Sequence, residues 1–226
     1  MMLIEFIAVT VEDAKLIEKS GADRIELVSG LTEGGITPSY GLIEKVVKSV
    51  TIPVNVMVRP HGQSFCYSED DIEIMKNDIR VIRTLGANGV VLGMLDKQGN
   101  VDFRLLEELL TDIGSMEVTF HRAIDSSNNL IEAAGKLDRY KEIKTILTSG
   151  GHGDWQTRLE TLRKMNEICK ETEILIGSGL TKDNIREVDE QVGTNCYHFG
   201  TAIREDHNML KSVSLEKALQ IVHTLK

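Results

Sequence analysis

Apolar and polar positions alternate along this chain with a steady beat. Short apolar runs fall at residues 3–8, 24–28, 54–59, 89–95, 117–121, 144–149, 173–177 and 195–199. Between them lie amphipathic stretches with the spacing of surface helices. The first helix is expected from Val11 to Lys19, with Gly21 as its stop. Thr37 and Pro38 read as the cap and first residue of the second helix. A long third helix is expected near Ser68, where Ser68 and Asp71 make a capping box, and Gly86 ends it. A last helix is expected over 215–225. Eight strand–helix units of about 28 residues each predict a single domain spanning 1–226, an α/β chain folded as a (β/α)8 TIM barrel with parallel strands. Such barrels build their sites at the C-terminal ends of the strands.

Polar residues inside the apolar runs depart from the Val, Ile and Leu expected of buried parallel strands. Glu5 lies between Ile4 and Phe6, and Glu26 between Ile25 and Leu27. A carboxylate turned toward the helix layer would be desolvated without a partner, so both acids are expected to face the barrel interior. Close carboxylates raise one another's proton affinity unless a cation separates them. Arg59, at the end of the third strand on the face of Asn55 and Met57, is the expected cation. His121 and Arg122 end the fifth strand. Glu5 and Glu26 as acid/base groups, His121 as a shuttle, and Arg59 and Arg122 as anion holders would suit proton abstraction beside a carbonyl, aldol-type chemistry or hydrolysis. The other reading is a static polar core in which the acids pair with Arg24 or Arg59.

The later strands end in Thr148-Ser149-Gly150-Gly151, Gly177-Ser178-Gly179 and Gly200-Thr201-Ala202. Glycine-rich loops there bind phosphate in many barrels, so Thr148, Ser149, Gly150, Gly177, Ser178 and Gly179, with Asn55, are the candidate substrate or phosphate contacts. Glycine also ends strands because tight turns need it.

Composition narrows the partners. The net charge of −9 argues against nucleic acid and against anionic membranes, which need a basic footprint. No apolar stretch approaches the ~18 residues of a membrane helix, and Glu5 interrupts the opening apolar run, so neither a signal peptide nor a membrane span is expected. A cytoplasmic protein acting on a small molecule or metal ion follows, with a homo-oligomer as the base-rate expectation. The three cysteines, Cys66, Cys169 and Cys196, are scattered and form no CxxC, which disfavours a disulfide framework or structural zinc. Cys169 and Cys196 read as core. No organic cofactor motif is evident. The segments 61–67 and 204–214 are long enough to act as a lid or a contact surface.

Several strings, taken together, resemble the CutC family of copper homeostasis proteins: Gly21-Ala22-Asp23-Arg24-Ile25-Glu26-Leu27, Glu33-Gly34-Gly35-Ile36-Thr37-Pro38-Ser39, Met57-Val58-Arg59-Pro60, Phe65-Cys66-Tyr67-Ser68 and Val118-Thr119-Phe120-His121-Arg122-Ala123. The resemblance runs from Leu3 to about Ala202 and implies a cytosolic (β/α)8 barrel with a role in copper homeostasis and copper binding. Family members often carry cysteines at the ends of the first two strands, favoured as copper ligands. The matching positions here are Ile7 and Val28, which cannot bind metal. Cu(I) prefers thiolate or thioether ligands, which leaves Cys66 and Met57, with His198 matching a family histidine. The register of the last strand leaves His198 and Phe199 as alternatives for that position.

Overall fold

The computed structural model describes residues 2–226. Its strands are β1 (Leu3–Ala8), β2 (Arg24–Leu27), β3 (Val54–Met57), β4 (Gly89–Leu92), β5 (Glu117–Phe120), β6 (Ile143–Thr148), β7 (Glu173–Ile176) and β8 (Cys196–Phe199). They close in sequence order into a barrel, and each neighbouring pair is parallel. The helices are α1 (Val11–Lys19), α2 (Tyr40–Val47), α3 (Glu69–Thr84), α4 (Phe103–Ile113), α5 (Leu130–Leu137), α6 (Trp155–Ile168), α7 (Ile185–Val192) and α8 (Leu215–Leu225). This is the (β/α)8 TIM barrel the beat predicts.

Local chemistry sets the helix starts. Thr10 caps α1 by accepting from Asp13 N–H. Ser68 and Asp71 form the expected reciprocal box at α3. The second helix differs from expectation. It starts after Ser39, whose hydroxyl accepts from Leu42 N–H. Thr37 is diverted, because its hydroxyl accepts from Arg59 N–H at 2.9 Å and ties the loop after β2 to the end of β3.

Period-2 alternation divides the core in two. Outward residues such as Ile4, Phe6, Ile25, Leu27 and Phe199 pack against the helices, with Phe6 and Phe199 edge to face at 5.7 Å. Inward residues form two apolar patches, one of Ile7, Val28, Met57 and Val91, the other of Leu147, Leu175 and Cys196. Polar side chains fill the rest of the interior. The expected strands at 24–28, 54–59, 89–95 and 117–121 each overshoot the ladder. Their last residues, Arg59 and His121 among them, leave the sheet to shape its rim.

The segment 204–214 is pinned by a buried ion pair. Arg204 donates to Asp13 Oδ2 at 3.1 Å, to the Ile7 carbonyl at 3.1 Å and to the Lys211 carbonyl at 2.7 Å. Met209 from this segment reaches the barrel mouth. Among the described residues no helix is long and apolar enough to cross a membrane.

Candidate functional site

Strand register assembles the acidic centre. Glu5 is the lateral partner of Arg24 on one side and of His198 on the other, so the three side chains enter the barrel at one level. Glu26 lies one step nearer the C-terminal rim, opposite Ile7. Glu5 is wholly buried. Its Oε2 accepts from Arg24 Nε at 2.5 Å, and its Oε1 lies 2.7 Å from His198 Nδ1. His198 Nε2 faces Glu26 Oε2 at 3.7 Å. The order is Arg24, Glu5, His198, Glu26, with charges of alternating sign when the imidazole is protonated.

Two corrections to the sequence expectation follow. The cation between the acids is not Arg59 but Arg24 with His198, and the inward residue of β8 is His198, with Phe199 turned to the helices. The pairing of Glu5 with Arg24 follows the static-core reading for that acid. Burial raises the Glu5 carboxyl, but Arg24 and His198 outweigh it and hold it down at about 2. Glu5 is therefore a fixed anion, not a proton carrier near neutral pH. Burial pushes Glu26 up to about 7; His198 opposes the rise and Glu5 adds to it. His198 is held above its ordinary value, because Glu26 and Glu5 together overcome burial.

A cavity of about 450 Å³ opens above this centre, with Glu26, His198, Arg59, His121 and Arg122 in its wall and Ile7, Met57 and Leu147 as apolar lining. Arg59 Nη1 donates to the carbonyls of Glu33 at 2.9 Å and Gly35 at 3.1 Å. Its guanidinium stacks on Phe65, 4.8 Å from the ring centre. A side chain at Gly93 would collide with the His121 ring, so that glycine makes its place. His121 Nδ1 accepts from Ala123 N–H at 3.1 Å, which puts the imidazole proton on Nε2. Burial, with Arg59 nearby, lowers His121 to about 3 and keeps it neutral. Among the described residues five side-chain atoms are buried without a protein partner; Glu26 Oε1, Arg59 Nε and His121 Nε2 belong to the cavity wall, while His61 Nδ1 and Arg204 Nε lie outside it.

The residues expected to contact phosphate divide between the cavity wall and the structure around it. Ser178 and Gly179 line the cavity. Thr148 and Ser149 do not offer their hydroxyls to it, since both donate to Asp125, at 2.6 and 2.7 Å, and Ser149 N–H donates to the same carboxylate at 3.1 Å. Arg122 also donates to Asp125, at 2.8 Å, while its side chain stays 48% exposed at the rim. A side chain at Gly150 would strike the Arg158 carbonyl, and one at Gly177 would strike Leu147 first and then crowd the His198 ring. Asn55 lies below the mouth, bonded to Asn88 at 2.9 Å and Thr119 at 3.4 Å. Sequence reasoning missed Asp125, and it missed Glu33 and His152 in the cavity wall. The one available signal for Asp125 was its i,i+3 spacing from Arg122.

Among the described residues no thiol reaches the cavity. Its sulfur donors are the thioethers of Met57 and Met209. Cys66 is exposed, outside the cavity wall, and its thiol donates to the Asp96 carbonyl at 3.4 Å. Cys169 ends α6 and Cys196 lies on the inner floor, both with thiols pushed up to about 12 by burial. The cavity therefore offers Cu(I) two thioethers but no thiolate. Glu5, Glu26 and His198 offer donor atoms within 4.8 Å of one another. Both Glu5 oxygens are already engaged, and Arg24 supplies the charge a cation would bring.

A closed parallel barrel with three acids, three imidazoles and two guanidinium groups around the C-terminal mouth defines a TIM-barrel protein with a polar pocket. Residues 2–203 match the sequence model of the CutC family, and the chain belongs to that family. It is 39% identical over 187 residues to the family protein CutC of Photorhabdus laumondii, covering 83% of this chain and 75% of the relative. The CutC of Yersinia pestis strain Pestoides F is 41% identical over 189 residues, covering 83% of this chain and 74% of the relative. Among solved structures, the CutC protein of Streptococcus agalactiae, which carries the name of a copper homeostasis protein, superposes with a TM-score of 0.83 at 29% identity, over 90% of this chain and 100% of that one. Phosphoribosyl anthranilate isomerase of Thermococcus kodakaraensis shares the fold, with a TM-score of 0.68 at 14% identity over 100% of this chain and 99% of that one.

Proposed function

We propose that this CutC family member serves copper homeostasis, the role named for its Streptococcus agalactiae relative, from the cytoplasm. Its barrel mouth acts there as an acid–base pocket for a small anionic molecule, not as a thiolate copper site. One observation carries this reading: an unpartnered acceptor on Glu26 and unpartnered donors on Arg59 and His121 belong to residues around a single cavity. Buried polar atoms left unpaired cost about 1–3 kcal/mol each, so their grouping argues for a ligand that completes them. Arg122 at the rim supplies positive charge for an anionic group.

The test is complementation. In cells lacking this chain, copper tolerance should be restored by wild type and by Cys66→Ala, but not by Glu26→Gln or Arg59→Met. In parallel, Cu(I) competition titration should give weak binding that Cys66→Ala leaves unchanged. Melting scans against small carboxylates and phosphate esters should find a compound that stabilises wild type and not Arg59→Met. Tight Cu(I) binding abolished by Cys66→Ala, or a broad panel in which nothing stabilises the protein, overturns the proposal.

A further inference from the structure

We infer that the mouth is an enolising site: Glu26 moves a proton at the carbon beside the carbonyl of a small hydroxy- or keto-compound with an anionic end, and the carbonyl oxygen is held by His121 Nε2 and Arg59 Nε. The inference rests on the anion-pocket reading above and names the chemistry of that pocket.

Glu26 Oε1 is an acceptor, while Arg59 Nε and His121 Nε2 are donors. The matching molecule presents an acidic hydrogen to the first and an oxygen able to take negative charge to the other two. The donor character of His121 Nε2 follows from the backbone N–H of Ala123, which occupies Nδ1. With Gly93 leaving space on one side and Phe65 packed at 5.2 Å between ring centres, the imidazole is fixed in place. A neutral, fixed N–H donor contributes most where charge develops during reaction, as on a carbonyl oxygen becoming an enolate. Arg59 is fixed likewise, its Nη1 spent on two backbone carbonyls and its plane on Phe65. That leaves Nε and Nη2 as its contribution to a ligand.

Glu26 is suited to the proton. His198 faces its other oxygen, Oε2, and Glu5 with Arg24 anchors His198 from behind. His198 is thus a positioning residue that holds Glu26 by Oε2 and leaves Oε1 without a protein partner. Its carboxyl, near 7 through burial, exchanges protons at neutral pH. Ile7, Met57 and Leu147 give the reacting carbon an apolar bed. The step balances without a further reactant. The C–H bond breaks to give its proton to the Glu26 carboxylate. Its electron pair forms the C=C bond, and the carbonyl π pair moves to oxygen, where both donors hold it. Return of the proton to the same carbon gives exchange or epimerisation. Return to the former carbonyl carbon, with the hydroxyl proton passing to the other oxygen, gives an isomer.

The test is deuterium wash-in followed by proton NMR in heavy water, with dihydroxyacetone phosphate and hydroxypyruvate as probes. Phosphoglycolohydroxamate, a planar enediolate mimic, serves as a binding probe by calorimetry. Wild type should exchange the carbon-bound hydrogens of a probe at least 100-fold faster than Glu26→Gln prepared identically, while that variant still binds the hydroxamate. Arg59→Lys, which leaves Glu26 in place, should lose exchange at least tenfold, and a matching melting curve shows it folded. Binding of a probe or the mimic without exchange, or exchange that survives Glu26→Gln, overturns the enolising inference while leaving the anion pocket standing. No binding by any of the three overturns both.

Discussion

Replacing Glu26 with Gln should make the protein more stable at neutral and alkaline pH, and the gain should vanish in acid. The unfolded carboxyl titrates near its ordinary 4.5, whereas in the barrel burial lifts it to about 7. The folded state therefore binds the proton more tightly than the unfolded state. Below pH 4.5 both states are protonated and Glu26 carries no ionisation penalty. Between 4.5 and 7 the unfolded state ionises first, and stability falls as pH rises. Above 7 the penalty levels off at about 3 kcal/mol, from about 1.4 kcal/mol for each pH unit of displacement. Glutamine keeps the shape of protonated Glu26 and cannot ionise, so the variant escapes the penalty. For a chain of this length that corresponds to a melting point roughly 6–12 °C higher at pH 8. Urea denaturation at pH 4.5, 6 and 8 reads the difference directly. A variant no more stable than wild type at pH 8, or a difference that does not change with pH, would show that Glu26 is not held in a desolvated, ionisation-resistant position.

Asp125→Ala should cost about 2–4 kcal/mol in urea denaturation, because it strips the partner from the Thr148 and Ser149 hydroxyls and the Ser149 N–H. A loss below 0.5 kcal/mol would mean those donors find other partners. On the acid side, two groups act in one direction. Glu5, held at about 2, contributes stability that is present above its ordinary 4.5 and lost as pH falls toward 2. His121, held neutral down to about 3, resists a proton that the unfolded chain takes up from 6.5 downward, so stability is lost between 6.5 and 3, by up to about 5 kcal/mol. His121→Gln should flatten the stability profile across that window, and an unchanged profile would refute a buried neutral imidazole.

The barrel was legible because eight buried strands must each be apolar and each must be followed by an amphipathic helix. The inward turn of Glu5 and Glu26 was legible for the same reason, since a strand offers two faces and one was closed to charge. Their partners were not. Barrel closure sets β8 beside β1 and brings His198 to Glu5 across nearly the whole chain, and no local pattern encodes that adjacency. Arg24 shares the inward face of Glu26 along β2, but lateral register gives it to Glu5. The loops after β6 and β7 look alike in sequence. What separates them is Asp125, which consumes the hydroxyls of the first, while Ser178, in the left-handed region at φ 70°, stays at the cavity edge.

The interior of the barrel separates structural from functional polarity. Below the mouth, Arg24 continues from Glu5 to Thr145, Thr145 to Thr119, Thr119 to Asn55, and Asn55 to Asn88, which reaches Glu117. Each of these side chains, buried or half-buried, finds a partner, and Gly89 has no side chain where one would strike Asn55. This fold is therefore able to satisfy polar groups inside its barrel, and does so along this floor. One level higher, in the same ring of strands, Glu26, Arg59 and His121 each keep a buried atom unpaired. A polar core serving stability alone would show the same closure at both levels. The contrast between a satisfied floor and an unsatisfied mouth, within a few residues along the chain, is what supports the proposal of a ligand site there.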